Sequence, residues 1–446
     1  MKTTHLKGAL YASAAALALG VFGQTGVASA APTSQQDLLQ RVQTLERALQ
    51  EVKAELAKSR QQSKTTEKIA KRAARTAATA RKQASAPDNA VTKWHLAGYA
   101  NVGFEAINKG KTDSFTSGKF NPVFHFQYKN LVVFESELEI ETGSDGETTT
   151  DLEYAQADIF LTDNITFVFG KYLSPIGQFQ ERLHPSWINK SISMPAGFGH
   201  DGVQPGSDVG VQLRGGVPVG GMVFTYALAA GNGPRLGAEG PELEGFPRDN
   251  NSNKSLGGRL GFLPLPYLEF GASYLTAKVN TTADAPAVHG AALDSGASDL
   301  ANYKLWGVDM AFTKGSWDVR FEYLDSKLTG LGAGGGLSGL SADGAEEGLL
   351  ETNGWWKAWY TQAAYRLAGI TDQKILRNFE PVVRYGKFLP RGNDELEEGR
   401  EERFNVGLNY WFTPTAVLKS NLEIRNFQIV DIPDETRFQF QFAYGF

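Results

Sequence analysis

The chain has 446 residues, a formal net charge of −5 and no cysteine. A mildly acidic protein does not suit nucleic acid as a partner, and a chain without cysteine cannot be held together by disulfides. Its 49 glycines and 11% aromatic residues are typical of an all-β protein with many turns.

Residues 1–30 have the features of a secretory signal peptide. Lys2 and Lys7 precede an apolar run over residues 9–22, and Ala28-Ser29-Ala30 supplies the small residues of a cleavage site. The apolar run is too short and wrongly flanked for a helix that crosses a membrane. We therefore predict export of the chain; the alternative is an uncleaved membrane anchor.

Residues 31–57 are predicted to form a helix that associates into a coiled coil. Charged and amide side chains alternate with a heptad seam of apolar residues. The seam consists of Leu38, Val42, Leu45, Leu49, Val52 and Leu56. The alternative is one amphipathic helix that packs on its own domain.

Residues 58–93 are predicted to form a basic linker rich in alanine, lysine and arginine. The segment lacks apolar periodicity but contains good helix formers, which indicates a helical or partly ordered spacer. A solvated run of charge is the simpler interpretation. Contact with anionic polymers of the cell wall is the alternative.

From residue 94 to residue 446, apolar and polar residues alternate at the period of a β-strand. The last strand places an aromatic ring at every second position up to Phe446, and Phe134, Leu138 and Ile140 alternate with glutamates. Strands are predicted near residues 94–105, 119–130, 131–141, 150–162, 163–172, 207–217, 221–230, 254–263, 266–279, 302–313, 315–326, 354–367, 377–389, 403–413, 415–427 and 436–446.

The lengths of the connections indicate what surrounds these strands. Connections after even-numbered strands are mostly short, and those after odd-numbered strands are mostly long and polar. An outer-membrane barrel has this arrangement, with rings facing lipid and polar groups facing the lumen. A soluble β-sandwich has no reason to sort its loops in this way. The sequence therefore predicts an all-β fold, an antiparallel transmembrane β-barrel of about 16 strands with an N-terminal α-helical coiled-coil segment.

A barrel of this size is wide enough for an aqueous channel. The long loop over residues 173–206 is predicted to fold inward and narrow the lumen; a loop that covers the mouth is the alternative. Glutamates on the early wall and basic residues on the late wall would create a transverse field. The candidate pore-lining residues are Arg182, Lys190, Arg214, Arg320, Arg366, Arg384, Arg403, Lys419, Arg425, Arg437, Glu135, Glu137 and Glu139. Alternatively, many of these cations pair with lumen carboxylates such as Glu380 and Glu423.

The sequence contains no convincing catalytic, cofactor or metal motif. Its six histidines are scattered, and a G-x-G-x-x-G match at residues 334–339 lies in a Gly/Ser loop, not between a strand and a helix. No cofactor and no enzymatic activity are expected. Two other functions stay open: a structural outer-membrane protein that tethers the envelope through its stalk, and an outer-membrane hydrolase.

The order of these parts resembles the phosphate-selective porin O and P family. The resemblance covers residues 94–446, and the segments that carry it are GKYLSPIG (170–177), SDVGVQLRG (207–215) and VGLNYW (406–411). It implies a porin in the outer membrane of a Gram-negative bacterium, surrounded by lipid and lipopolysaccharide, with its coiled coil in the periplasm. It also implies a homotrimer for passive diffusion of small hydrophilic solutes, leaning to anions such as phosphate or polyphosphate.

The sequence departs from the family in its basic residues. The loop over residues 280–301 contains no lysine or arginine, and the long loop over residues 173–206 contains only Arg182 and Lys190. Members with tight phosphate selectivity use a ladder of arginines and a cluster of lysines. The expectation is therefore the architecture and the channel, without phosphate specificity.

Overall fold

A computed structural model describes most of the chain after residue 91. The described residues are 46, 50, 53, 92–108, 113–116, 118–143, 146–199, 203–237, 240–242, 249, 251–280, 300–329, 354–391, 400–428 and 433–446. Glu46, Gln50 and Lys53 are helical and exposed. The predicted signal peptide, the rest of the coiled-coil segment and residues 58–91 of the linker lie outside the described residues.

Sixteen antiparallel strands form a closed barrel, which confirms the predicted fold class. The strands are β1 Thr92–Ile107, β2 Lys119–Tyr128, β3 Val132–Thr142, β4 Thr148–Thr162, β5 Ile165–Leu173, β6 Ser207–Val219, β7 Met222–Gly231, β8 Ser255–Leu265, β9 Leu268–Asn280, β10 Leu300–Phe312, β11 Trp317–Thr329, β12 Gly354–Tyr365, β13 Phe379–Arg391, β14 Glu401–Trp411, β15 Ala416–Phe427 and β16 Glu435–Gly445. Each strand pairs with its neighbours in sequence.

The barrel closes between its first and last strands. β16 pairs with β1 from Tyr99↔Gly445 to Ile107↔Arg437. The C-terminal Phe446 continues this ladder, because its backbone N–H donates to Gly98 O at 2.9 Å and its carbonyl accepts from Gly98 N at 3.1 Å. Its ring stacks on Phe120 of β2, with 6.3 Å between the ring centroids.

The outer surface of the barrel is apolar. In β16 the alternate residues Phe438, Phe440 and Phe442 are exposed, whereas Gln439 and Gln441 are buried on the lumen side. Aromatic and aliphatic residues are exposed in the same way on the other strands, as at Phe270. A soluble sandwich would bury these rings in its core, so the sandwich alternative is wrong.

Short and long connections lie at opposite ends of the barrel, as the sequence predicts. Those after even-numbered strands span at most four residues, except residues 366–378, which contain two short 3-10 turns. They form the short-turn rim. The opposite, long-loop rim carries the long connections, among them residues 174–206 after β5.

Most predicted strand ends differ from the structure by one to three residues, and two of these differences have a clear physical reason. β1 begins at Thr92, two residues before the predicted start, because Thr92 still pairs with Tyr128 of β2. β12 ends at Tyr365, so Arg366 lies in the following turn and not in the strand. There its backbone N–H donates to Ser316 O at 2.9 Å, which joins two neighbouring short connections.

Three short strands and a one-turn π-helix, Phe179–Leu183, complete the described structure. Ser114–Thr116 pairs with β1 near the long-loop rim, and Arg235–Gly237 pairs with Gly240–Glu242 in a separate ribbon. Among the described residues, no helix combines the length and the apolar character needed to cross a bilayer.

Candidate functional site

The loop over residues 174–206 is here called the inward loop, and its described residues, 174–199 and 203–206, fold into the barrel as predicted. Its first part is fixed by Glu322 of β11, a carboxylate that is fully buried. The backbone N–H groups of Gln178 and Phe179 each donate to this carboxylate at 3.1 Å. Because a buried carboxylate needs hydrogen-bond partners, Glu322 and the loop backbone stabilise each other.

Gly177 allows this close approach. Its backbone has a φ of 68°, and a Cβ added to it would lie 1.7 Å from Glu322 Oε1. Its N–H donates to Ser273 Oγ on β9 at 3.0 Å. Both the left-handed conformation and the lack of space therefore require glycine here.

An apolar face of the inward loop packs on the lumen side of β9 to β13. Ile176, Phe179, Phe198 and Val203 are buried against residues of these strands. The ring of Phe198 meets Tyr360 of β12 edge-on, with 5.0 Å between the centroids. The buried strand residues in this cluster are Leu275, Ala277, Val279, Ala301, Tyr303, Leu305, Leu324, Leu328, Trp356, Ala358 and Tyr360. One side of the lumen is thus filled by a hydrophobic core.

The later part of the inward loop is held by cations of the barrel wall. Lys419 Nζ on β15 donates to the backbone oxygens of Asn189 at 2.6 Å and Ser191 at 3.2 Å, and also to that of Ser186. Arg384 on β13 donates to Ser193 O at 2.8 Å. These two cations satisfy carbonyl groups that the irregular loop leaves without backbone partners.

Two more contacts complete this attachment. Arg403 on β14 donates to Met194 O at 2.7 Å. Ser193 Oγ donates to Glu423 on β15. Arg384 also bonds Gln362 and Asn189 Oδ1, so the wall and the loop form one connected network of hydrogen bonds.

A cavity of about 420 Å³, with both charged and apolar lining residues, remains between the inward loop and the opposite wall. Its charged lining residues are Lys119, Glu139, Glu141 and Glu153, and Lys119 lies 2.5 Å from Glu139 and 3.0 Å from Glu141. Tyr99, Asn101 and Gln441 contribute further polar groups from β1 and β16. This cavity lies toward the long-loop rim and is here called the outer cavity.

A second cavity of about 240 Å³ lies toward the short-turn rim and is here called the inner cavity. It is lined by Lys190, Arg320, Arg384 and Asp318 together with aromatic rings. Asn189 of the inward loop borders both cavities. The loop therefore separates an outer cavity with several carboxylates from an inner cavity with several cations.

The basic residues predicted to line the lumen all face it, and most are paired with carboxylates. The ion pairs and their closest distances are Arg182–Glu269 at 3.0 Å, Lys190–Glu380 at 3.0 Å, Arg320–Asp318 at 2.8 Å, Arg366–Glu380 at 3.7 Å, Arg403–Glu401 at 2.6 Å, Arg425–Glu401 at 2.8 Å and Arg437–Glu435 at 2.6 Å, with Arg214 on Asp158. Arg384 and Lys419 have no ion-pair partner among the residues that the structure describes.

The three predicted glutamates lie on the lumen side of β3. Glu135 lies 3.4 Å from His125 and 3.8 Å from Arg214. Glu137 is buried and accepts a hydrogen bond of 2.7 Å from Tyr99 OH, and Glu139 pairs with Lys119. Protein donors thus satisfy the buried Glu137 carboxylate in place of water.

Sequence reasoning missed several residues that position the inward loop. Glu322, Gln178 and Tyr303 were not singled out, although Tyr303 OH donates to Val203 O at 2.6 Å. One signal was available in β9. Its lumen-facing residues Leu275, Ala277 and Val279 are as apolar as its outer face, which indicates a cover inside the barrel.

Metal binding has no support in the described part of the chain. No group of three or more histidine, cysteine, aspartate or glutamate side chains is arranged there so that it could hold a metal ion.

Comparisons with known proteins place the fold. No family model matches the sequence, and no curated protein matches it either. Among solved structures, an anion-selective porin from Comamonas acidovorans is similar, with a TM-score of 0.51 and 11% identity over 80% of this chain and all of the other. A loop-deletion mutant of OmpT, an outer-membrane protein of Vibrio cholerae, has a TM-score of 0.50 and 11% identity over the same shares of the two chains. The fold is that of the outer-membrane porins.

Proposed function

We propose that the protein is a porin of the outer membrane of a Gram-negative bacterium, through which small hydrophilic solutes diffuse passively. The observation that carries the proposal is the inward loop, fixed to one wall of a closed 16-stranded barrel, with a cavity on either side of it whose lining includes charged residues. A loop attached in this way narrows a lumen without filling it. No chemical step is needed for such a function, and none is proposed.

The outer surface supports the location in a membrane. A belt of exposed rings and aliphatic side chains surrounds the barrel, and lipid is the environment in which such a surface is stable. A barrel satisfies every strand hydrogen bond internally because it has no open edge. Export through the predicted signal peptide, residues 1–30, would bring the chain to this membrane.

We propose a modest preference for anions such as phosphate or polyphosphate. We propose that the pore lining is drawn from the residues named from the sequence, but most of their charges are balanced by carboxylates. Arg384 and Lys419 are the basic residues of this set that form no ion pair within the described structure. Both lie where the inward loop meets the wall, so their potential acts at the narrow part of the lumen.

The outer cavity limits this preference. Its lining includes Glu139, Glu141 and Glu153 but only one lysine. An anion therefore meets carboxylates before it reaches the cations of the inner cavity. Specific phosphate binding by an arginine ladder is not part of the proposal, and membership of the phosphate-selective porin O and P family is proposed only from the resemblance.

We further propose a homotrimer that is surrounded by lipid and lipopolysaccharide. The helix over residues 31–57 would form a coiled coil between subunits in the periplasm, and residues 58–93 would link it to the barrel and contact the cell wall. The mass of the detergent-solubilised assembly, measured with and without residues 31–57, tests both the subunit number and the role of the helix.

Recording of currents across planar phospholipid bilayers tests the channel and its selectivity together. The expected result is discrete conductance steps and, in a salt gradient, a reversal potential of the sign for anions. Arg384→Gln should shift this potential toward cations, whereas Arg377→Gln, in an exposed turn at the short-turn rim, should leave it unchanged. If the reconstituted protein gives no conductance steps, the alternative function, a structural protein that tethers the envelope, would be favoured instead.

A further inference from the structure

We infer that the outer surface of β9 to β13 carries a binding site for the phosphate groups of lipopolysaccharide. The inference rests on the proposed function, because it takes the long-loop rim to face the outer leaflet. It begins with five lysines, one on each of five adjacent strands: Lys278, Lys304, Lys327, Lys357 and Lys387.

Burial of their neighbours shows that these lysines point away from the lumen. Lys278 lies between the buried residues Ala277 and Val279, and Lys304 lies between Tyr303 and Leu305, which are also buried. In the same way Ser326 and Leu328 are buried on either side of Lys327. Because side chains alternate along a strand, each lysine between two lumen-facing residues faces outward.

All five lysines lie in the halves of their strands next to the long-loop rim. Directly below them, toward the middle of the barrel, is a row of outward aromatic residues. Trp306 and Tyr323 contact each other with 5.2 Å between centroids, and Trp359 and Tyr385 with 5.5 Å. Aromatic girdles mark the boundary between hydrocarbon and headgroups, so the lysines lie at the level of the lipid headgroups.

The strand register brings two of these lysines together. Lys304 and Lys327 are directly opposite each other on β10 and β11. Like charges in this position destabilise a sheet unless an anion lies between them. No carboxylate of the described residues forms an ion pair with Lys278, Lys304 or Lys327.

Two acidic residues balance the charges of the remaining two lysines, Lys357 and Lys387. Asp325 lies 3.2 Å from Lys357, and Glu402 pairs with Lys387. Among the described residues, this surface therefore keeps an excess of positive charge from the three unpaired lysines, to which the exposed Arg391 at the end of β13 adds. Elsewhere the outward positions near the long-loop rim are largely apolar or small among the described residues, as at Val209, Ala230 and Leu256; Lys171 is an exception, and its Nζ donates to Leu152 O.

Lipopolysaccharide fits this surface better than a phospholipid does. It presents more than one phosphate on a broad, acylated headgroup, so a single molecule can span lysines on neighbouring strands while its chains cover the rings below. Each lysine near a negatively charged lipid surface contributes on the order of 1 kcal/mol to binding, which corresponds to about a fivefold change in affinity.

The test compares two triple variants of the full-length protein in detergent. Lys278→Gln with Lys304→Gln and Lys327→Gln removes the unpaired charges. Lys129→Gln with Lys314→Gln and Lys374→Gln removes the same charge from the short-turn rim. Binding of lipopolysaccharide, of dephosphorylated lipopolysaccharide and of phosphatidylglycerol is measured by native mass spectrometry.

The wild type and the variant at Lys129, Lys314 and Lys374 should bind lipopolysaccharide with equal affinity. The variant at Lys278, Lys304 and Lys327 should bind it at least about tenfold more weakly. Removing the phosphates from the lipid should weaken wild-type binding to the same degree. Replacing the three lysines by arginine should restore binding, which excludes a folding defect. Equal binding by wild type and first variant, or equal affinity for phosphatidylglycerol, would overturn the inference.

The outcome is separable from that for the proposed function. The first triple variant should still give conductance steps in a phospholipid bilayer, because none of its substitutions faces the lumen. If the wild type itself is silent in the bilayer, the proposed channel fails whatever the lipid measurement shows. If it conducts but binds lipopolysaccharide no better than the first variant, only the lipid site fails.

Discussion

Lys419 Nζ, on the wall of the barrel, lies 2.6 Å from the backbone oxygen of Asn189 in the inward loop. This contact joins an irregular segment to a rigid strand at the point where the lumen is divided. A lysine that looks like a free pore cation in the sequence is thus a structural part of the narrow region. The positive charge of Lys419 and its hydrogen bonds to the inward loop therefore both act at the narrow part of the lumen.

Replacing Lys419 by methionine should loosen the inward loop. The substitution leaves three backbone oxygens without their donor, at a cost of about 1–3 kcal/mol for each group that water cannot reach. We expect a larger single-channel conductance with more current noise, measured in planar bilayers. Lys374→Met, at an exposed position on the short-turn rim, is the control and should behave like the wild type. Identical traces for both variants would show that Lys419 does not position the loop.

Gly177→Ala should displace the inward loop from the wall it packs on, at Glu322 of β11 and Ser273 of β9. Alanine in a left-handed conformation costs roughly 1–2 kcal/mol, and here its Cβ would also overlap Glu322. Gly315→Ala is a matched control, because Gly315 has a similar φ of 64° but nothing within 4 Å of an added Cβ. We expect altered conductance for Gly177→Ala alone. The same change in both variants would attribute the effect to the backbone conformation.

The outer cavity should be part of the solute path. Since the chain has no cysteine, a single introduced cysteine reports its own accessibility. Asn101→Cys places a thiol in the outer cavity, and a bulky, positively charged thiosulfonate should reduce the conductance on reacting with it. Lys374→Cys, exposed to water on the short-turn rim, should react without effect on the current. A path elsewhere in the lumen would leave the Asn101→Cys current unchanged.

Phe446 should contribute to closure of the barrel. Deleting it removes both hydrogen bonds to Gly98 and the ring that stacks on Phe120. We expect less folded barrel, measured as the fraction that migrates as a compact species on a gel without boiling. Phe270→Ala, which removes an exposed ring from the middle of the sheet, should have a smaller effect. Equal losses would mean that outward rings matter in general and closure at Phe446 does not.

The strands were predictable because two environments alternate along them. Lumen water and the apolar exterior impose a period of two, as in β16, where Phe440 lies between Gln439 and Gln441. The predicted strand ends agree with the structure to within a few residues. The turn after β12 was the least regular of the short connections in the sequence, and the structure gives it two 3-10 turns and places Arg366 within it.

The partners of the charged residues could not be predicted in the same way. Whether Arg384 faces water or binds Ser193 O depends on how residues 174–206 fold, and that loop has no periodic pattern. Glu322 gave no signal because any inward glutamate looks alike in sequence. Arg425 and Glu401 lie on the adjacent strands β15 and β14, where Glu401 is opposite Phe427. Their ion pair can therefore be recognised only once the register of the two strands is known.

Permeation of uncharged solutes into liposomes tests the central claim most directly, because size alone then limits the flux. The wild type should admit small sugars and exclude larger ones, and Lys419→Met combined with Gly177→Ala should raise this size limit. Lys374→Met combined with Gly315→Ala should retain the wild-type limit. An unchanged limit in the first double variant, or no permeation through the wild type, would contradict a channel narrowed by the inward loop.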